Sequence, residues 1–546
     1  MPAEQPVHPV ADPLPERPAR AADVVVHPPA GDGPWTVQHG ENRYLRLGVD
    51  AAALLTRLDG RRTAADLARD LGAPWTRDRV DATLSTFAGL GLLDDGRAPA
   101  PPPPRLTVTP PFVVQLRLLD PSRLLAPARP ALRLLTGRAA QAVVVASAAA
   151  AIVVLVVRGA DLVRLSHTPL PPISAVVIAA ALLASGGLHE LAHAAVLTAH
   201  GGRPRRLGVM LFYLAPAFYC DVSDGWRLPH RSQRVAIALA GIGADTTLAG
   251  TCAAVSLLIP PGPQADTVLL FTVACAARCA LNLVPFLKLD GYLALMTHLD
   301  VPNLRAKAMT DARRATARLL LGGRYTHQLP LWGVPFGVGC LVFPVYVVAT
   351  VAVLWAAVLP GLGRVGAVLA CGLIAFLVLR LVIGAWRVWN EAKRAGASPR
   401  RAVLVLVLLV AGVASVLWTV RVPTHVDVGY TSGPAGTYLV VPDGVVTSRI
   451  HSGAAVRLET SPGLLGGDLV ATARIGDGVG PAATAPMSAF VPVAVDTPVP
   501  GASRPLVAVS GHPQASGRAR VDTGTTSLAR WLHDQYVAPA RHVIGL

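Results

Sequence analysis

Residues 182–203 read LLASGGLHELAHAAVLTAHGGR, and three ionisable side chains, His189, Glu190 and His193, stand inside a stretch otherwise apolar enough for a lipid bilayer. A charged side chain at the centre of a membrane helix costs ~2.5–3.5 kcal/mol on insertion scales, so such groups mark a site more often than they decorate a surface. His189 and His193 are four positions apart, which sets both imidazoles on one helical face. That is the spacing by which a single helix supplies two ligands to a zinc ion. Glu190 flanks them and is placed to act as a general base on an attacking water without being a ligand itself. The competing reading, two core histidines with a salt-bridged glutamate, suits a soluble helix better than a membrane one.

The remainder of the chain supports a membrane setting. Of its 546 residues, 52% are hydrophobic and only 15% charged, against about 25% charged in ordinary soluble proteins. A formal charge of +16 would suit a nucleic-acid binder, but the basic residues gather in loops between apolar windows. Windows of about 20 apolar residues fall at roughly 139–157, 172–198, 235–259, 267–289, 332–358, 365–386 and 402–419, which predicts a polytopic α-helical membrane protein of about seven spans. The run LGVMLFYLAPAFY at 207–219 is too short to cross and reads as a re-entrant or interfacial hairpin. Arg203, Arg205, Arg206, Arg227, Arg231 and Arg234 lie between the second and third windows; Arg305, Lys307, Arg313, Arg314, Arg318 and Arg324 follow the fourth; Arg387, Lys393, Arg394, Arg400 and Arg401 follow the sixth. Every even span is therefore expected to end in the cytoplasm of a bacterial cell membrane, with the N-terminus inside and the region after 420 outside. The six cysteines include no CxxC pair, so no disulfide framework is indicated. The opening MPAEQPVHPVADPLPERPAR has no apolar core of the kind a cleavable signal peptide carries.

Domain organisation follows from shifts in texture. Residues 1–34 are rich in Pro, Ala and charge and are expected to be disordered. Residues 35–98 carry Leu54, Leu55 and Leu58 at helical spacing, Thr63 as an N-cap, and a third helix from Asp78 to Leu90, which reads as a small winged-helix-like domain. Its arginines, Arg43 to Arg97, are matched one for one by acids, a poor balance for phosphate binding, so no nucleic-acid partner is expected. A linker and amphipathic connector, containing LRLLDPSRLLAPARPALRLL, fills 99–138, the membrane domain runs from 139 to 419, and 420–546 turns to short Val- and Thr-rich runs between Gly and Pro, a β signature.

A catalytic zinc needs a third protein ligand and an open position. The fourth window leads into ARCALNLVPFLKLDGYLALM, and Asp290 is a carboxylate at the cytoplasmic end of that segment, level with the histidines near the end of theirs. A solvated acid paired with Lys288 is the plainer alternative. Asp245, within AGIGAD of the third window, is a candidate either for orienting a histidine through its second ring nitrogen or for helix packing.

HELAHA together with NLVPFLKLDGY, whose Asn282, Pro285, Asp290 and Gly291 are spaced as in a second family motif, resembles the site-2 protease (M50) family of intramembrane zinc metalloproteases. The intervening FYLAPAFYCDVSDGWRLPHRSQR and the DGY ending resemble the branch of peptide zinc metalloproteases associated with ribosomal peptide natural products, daptide-like ones included. The resemblance implies one Zn2+ held by His189, His193 and Asp290, water activation by Glu190, and positioning of the substrate backbone by Asn282. Separately, LTRLDGRRTAADLA followed by LGLL resembles the peptide chaperone of pyrroloquinoline quinone biosynthesis, which implies recognition of a precursor peptide by the N-terminal domain. The expected activity is that of an endopeptidase removing a leader during maturation or export of a modified peptide, working in the bilayer beside peptide-modifying enzymes or an exporter. Regulated proteolysis of a membrane signalling protein, or a non-proteolytic export or immunity scaffold, are the alternatives.

Overall fold

The computed structural model describes residues 14–534, apart from 30–34, 41–42, 95, 97–104, 110–112, 213–214, 323–325, 359–371, 443–449 and scattered positions between 373 and 397. An N-terminal unit opens the chain. Val24–His27 (β1), Trp35–His39 (β2) and Arg43–Leu47 (β3) form an antiparallel meander, and Val49–Thr56 (α1), Ala64–Leu71 (α2) and Arg77–Gly89 (α3) follow it. Helix α2 starts where it does because Thr63 accepts from the Asp66 N–H at 3.3 Å while the Asp66 carboxylate accepts from the Thr63 N–H at 3.1 Å, a reciprocal cap that satisfies two otherwise orphan donors. Leu54, Leu55, Leu67, Val80, Leu84 and Phe87 close on Val24 and Val37 to make the core.

The expected disorder of 1–34 is thus corrected for its later part. Pro-rich surroundings hide VVVH at 24–27, yet Val24 is buried, and Ala19 and Arg20 bridge to Asp59 and Leu93. Truncating a large core side chain costs about 3–5 kcal/mol. Phe87→Ala is therefore expected to speed amide exchange throughout α3 of the full chain while leaving exchange in the long apolar helices after residue 137 unchanged.

The segment 99–138 is also more structured than a linker. Leu106–Thr109 (β4) and Val113–Leu119 (β5) pair with each other, and β5 pairs onward with Leu207–Phe212 (β6), which pairs with Ala215–Cys220 (β7). The short apolar run at 207–219 thereby forms two antiparallel strands. Local periodicity could not join β5 to β6, because that second partner comes from a distant part of the chain. Two short helices, Ser122–Leu125 (α4) and Arg129–Leu132 (α5), lead on from this sheet.

Among the described residues, four helices are long and apolar enough to cross a membrane: Arg138–Val157 (α6), Pro172–Ala199 (α8), Arg231–Leu258 (α9) and Pro263–Leu283 (α10). Gly159–His167 (α7) joins the first two. The expected seven are not all accounted for. Gly333–Val358 and Pro399–Thr419 are further apolar helices over two of the remaining windows, and the window at 365–386 lies largely outside the described residues. The window expected at 267–289 also ends early, at Leu283, and a new helix, Asp290–Leu299 (α11), begins after the break. Pro285 disfavours helix at the residue before it, and an acid suits the first turn of a helix. Asp290 is consequently the first residue of α11 and not the end of the preceding helix. Leu304–Leu321 (α12) follows.

The C-terminal region is a β-barrel. Arg421–Gly433 (β8), Gly436–Pro442 (β9), Ala455–Glu459 (β10), Leu469–Ile475 (β11), Ala483–Pro486 (β12), Pro498–Gly511 (β13) and Ser516–Ser527 (β14) pair in the order β11-β10-β14-β8-β9-β13-β12, and β11 pairs with β13 to close the ring. Closure removes the exposed edges that an open sheet would present. Val428, Tyr430, Leu439, Leu458 and Val521 fill its interior.

The two flanking units sit at opposite ends of the helices. The barrel meets the turn between α6 and α8, where the Leu465 N–H donates to the Ser166 carbonyl at 2.8 Å and the Ala494 N–H to the Leu170 carbonyl at 2.9 Å. The N-terminal unit meets the other end, after α8 and before α9. There the Tyr44 hydroxyl donates to Asp224 at 3.1 Å, and Arg46 pairs with Asp300, which also meets Arg231 at 3.3 Å. Burial by itself raises the Asp224 carboxyl, but Arg227, the Arg203 N–H and Tyr44 outweigh it and hold it below the usual carboxylate range. This contact is accordingly at full strength above about pH 4 and is lost as pH falls through the lowered value. Docking measured by cross-linking β3 to the 221–231 segment is expected to be unchanged from pH 8 to pH 5 and to weaken only in stronger acid.

Candidate metal centre

His189 and His193 occupy the half of α8 nearer the N-terminal unit, and Asp290 opens α11 beside them. The three bring ligand atoms within 4.8 Å of one another. The His189 Nε2 to Asp290 Oδ2 distance is 2.9 Å, that from His193 Nε2 to His189 Nε2 is 3.3 Å, and that from His193 Nε2 to Asp290 Oδ2 is 3.4 Å. Three tetrahedral ligands at ~2.0–2.1 Å from a zinc ion would stand ~3.3 Å apart, so two of these edges suit an ion of that size and the His189–Asp290 edge needs only a small opening.

The other ring nitrogens explain why the donors converge. His189 Nδ1 donates to Asp245 Oδ2 at 2.9 Å, and His193 Nδ1 donates to the Ile237 carbonyl at 2.6 Å. With each Nδ1 carrying its proton toward a buried acceptor, both Nε2 lone pairs face a carboxylate oxygen and each other. Two imidazole nitrogens and a carboxylate oxygen at these separations repel unless a cation lies among them. A proton can bridge one pair of the three, whereas one metal ion satisfies all three. The group can therefore hold a metal ion.

Two glycines make the approach possible. A Cβ at Gly241 of α9 would collide with ring atoms of both His189 and His193, so the missing side chain is the cradle the imidazoles fill. A Cβ at Gly291 would strike the carbonyls of Leu283 and Asn282, which ties the Asp-Gly pair to the close passage of α11 against the end of α10. Gly241→Ala is expected to push the rings apart and reduce metal retention at least as much as loss of an outer hydrogen-bond partner, which costs about 10–100-fold.

Asp245, 1% exposed, does more than contact His189. Arg278 of α10 donates through Nε to Asp245 Oδ2 at 3.0 Å and through Nη2 to Oδ1, and its Nη1 donates to the Leu182 carbonyl at 3.2 Å. A guanidinium fork holding a carboxylate is geometrically stiff. This one fixes the carboxylate that fixes the imidazole, and it ties α8, α9 and α10 together around the site. Sequence reasoning named Asp245 but passed over Arg278 and Gly241. The signal for Arg278 was present: an arginine inside an apolar window is as costly as the histidines are. Gly241 carried no local signal, because a glycine in a helix reads as a packing choice until its neighbours are known.

Glu190 is half-buried on α8 and outside the donor triangle. Strand β7 packs along α8 and is an outer strand of its sheet. Asn282 stands half-buried in the last turn of α10, outside the triangle. No family model matches this chain, and neither a curated protein nor a solved structure does.

Proposed function

We propose that this protein is an intramembrane zinc endopeptidase of the site-2 protease type that cleaves a precursor peptide. The observation that carries the reading is the convergence of His189 Nε2, His193 Nε2 and Asp290 Oδ2, with both Nδ1 atoms committed to other acceptors, beside a glutamate that is not one of the donors. Nitrogen and oxygen donors with no cysteine in the set suit zinc. Bound there, zinc would polarise a scissile carbonyl and bring the pKa of water to about 7.

The chain's own residues supply the rest. Glu190 takes the proton of the attacking water and passes it to the leaving amine. Asp245 and Arg278 keep His189 oriented, and Asn282, near the Asp290 turn, is in position to steady a substrate backbone. The N-terminal unit, read as a winged-helix-like peptide-recognition domain, is docked at the end of the helices nearer the histidines, so a peptide held there is delivered to the site. Its balanced charge favours a peptide over a nucleic acid.

Seven crossings fit this arrangement, with the apolar runs at 332–358, 365–386 and 402–419 making the last three. An odd number puts the N-terminal unit and the barrel on opposite sides, in keeping with their contacts at opposite ends of the helices, and the arginine-rich loops on the N-terminal side assign that side to the cytoplasm. The test is mass spectrometry of small peptides from cells carrying the wild-type chain, a deletion or Glu190→Gln. A processed peptide that disappears in both altered strains while its longer precursor accumulates supports the proposal. A profile altered by deletion but not by Glu190→Gln would point to a non-proteolytic export or immunity scaffold instead.

A further inference from the structure

Away from the metal centre, two adjoining cavities open beside the end of α8 on the side of the N-terminal unit. One, of about 570 Å³, is lined by Arg105, Arg117, Arg123, Leu118, Leu119 and Leu124 with Asp120. The second, of about 250 Å³, is lined by Arg117, Asp120, Ser122, Pro204, Arg203, Arg205 and Arg206. Arg117 and Asp120 wall both, so the two are parts of one basin. Six arginines surround it against one acid, and that acid already accepts from the Ser122 N–H at 3.0 Å.

The position of the basin is fixed by the chain. Arg203 follows the end of α8 by four residues, and α4 and α5 carry the opposite wall on to the start of α6 at Arg138. Both helices are long and apolar enough to cross the membrane, and both present this same end here. Strand β5 pairs with β6 across the basin, with a register shift between Arg117 and Leu119. The walls are not uniformly polar: Leu118 is 55% exposed and Leu124 is 68% exposed, in the same lining as Arg117 and Arg123.

A soluble phosphate would be served by the arginines alone and has no use for exposed leucines. An acidic peptide would find the charge but not the level of the bilayer. A phospholipid with an anionic headgroup uses both, because guanidinium groups bind phosphate oxygens in pairs and basic pockets beside membrane helices hold such headgroups. We propose that this basin binds the phosphate of an anionic phospholipid from the adjacent leaflet, with the leucines against the upper part of its acyl chains. The inference rests on the membrane-spanning helices and not on the zinc reading. Bound lipid would brace the 203–206 segment, which leads directly into β6 and so to its partner β7, the strand packed along α8.

The test uses the full chain in zwitterionic micelles, titrated with fluorescent phosphatidylglycerol and separately with fluorescent phosphatidylcholine. Phosphatidylglycerol is expected to bind at least tenfold more tightly, and Arg117→Gln combined with Arg123→Gln to reduce its affinity by roughly tenfold or more. Paired lysine substitutions at these two positions are expected to restore most of the preference. Millimolar inorganic phosphate is expected not to displace the lipid. If the double variant fails to fold, Arg105→Gln alone is expected to weaken phosphatidylglycerol binding by several-fold, as loss of one basic group should. Equal affinity for the two lipids, or unchanged phosphatidylglycerol binding in the variants, would overturn the proposal. So would full displacement by inorganic phosphate or by polyglutamate, which would reassign the basin to a soluble anion or an acidic peptide.

Discussion

Glu190→Gln in the purified full chain, reconstituted in liposomes with its peptide substrate, is expected to lower turnover by about 10²–10⁴-fold while leaving the metal content at the wild-type level. The substitution preserves shape and removes only the ability to take a proton. Since Glu190 stands outside the His189–His193–Asp290 triangle, nothing in the donor set changes. A fall in turnover that comes with loss of metal would mean that Glu190 holds the ion, and the division of roles proposed here would then be wrong. Turnover unchanged within twofold would remove Glu190 from the chemistry altogether.

The second large effect concerns the donors themselves. Asp290→Ala and His193→Ala are each expected to reduce the metal recovered with the protein to background and to abolish cleavage. Removing one donor leaves two, and the open position needed for catalysis is then no longer distinguished from a lost ligand. Asp290→Ala should have a second signature. His189 lies between two carboxylates, at 2.9 Å from each, and losing one of them leaves Asp245 as its sole acidic contact. Asp245→Asn, by contrast, keeps all three donors and disturbs only the orientation of His189, so it should weaken metal binding by about 10–100-fold without abolishing it. Arg278→Met should fall in the same range if Arg278 acts through Asp245, and the two changes combined should cost little more than either alone. Additive losses would separate the arginine from the site. The readout is metal affinity, which a general loss of helix packing would not move in this non-additive pattern.

The sequence carried the site further than it carried the fold. Two histidines four apart in an apolar window have one geometric consequence in a helix, so their common face was legible before any coordinates. Asp290 was legible as a matching acid, but its place at the start of α11 depends on the break after Leu283, which the hydropathy window ran straight through. Strands β5 and β6 were the hardest to see. Beyond a near neighbour, each gains a second backbone partner from a segment far away in sequence, and the Leu and Arg spacing that is helical after Ser122 gives no sign that Val113–Leu119 before it is a strand. The VVVH strand at 24–27 was hidden by its proline-rich context, and its pairing with β2 and the burial of Val24 against α1 and α3 make it part of the fold. Arg278 was overlooked because the acid it pairs with lies on another helix, and an unpaired reading of an intramembrane arginine gives it no task.

X-ray absorption at the zinc edge of the purified full chain addresses the central claim most directly. The account predicts one zinc ion per chain with nitrogen and oxygen neighbours at ~2.0–2.1 Å, an imidazole signature from two rings, and no sulfur at ~2.3 Å. Protein from zinc-replete cells that carries no metal, or a zinc shell containing sulfur, would contradict it.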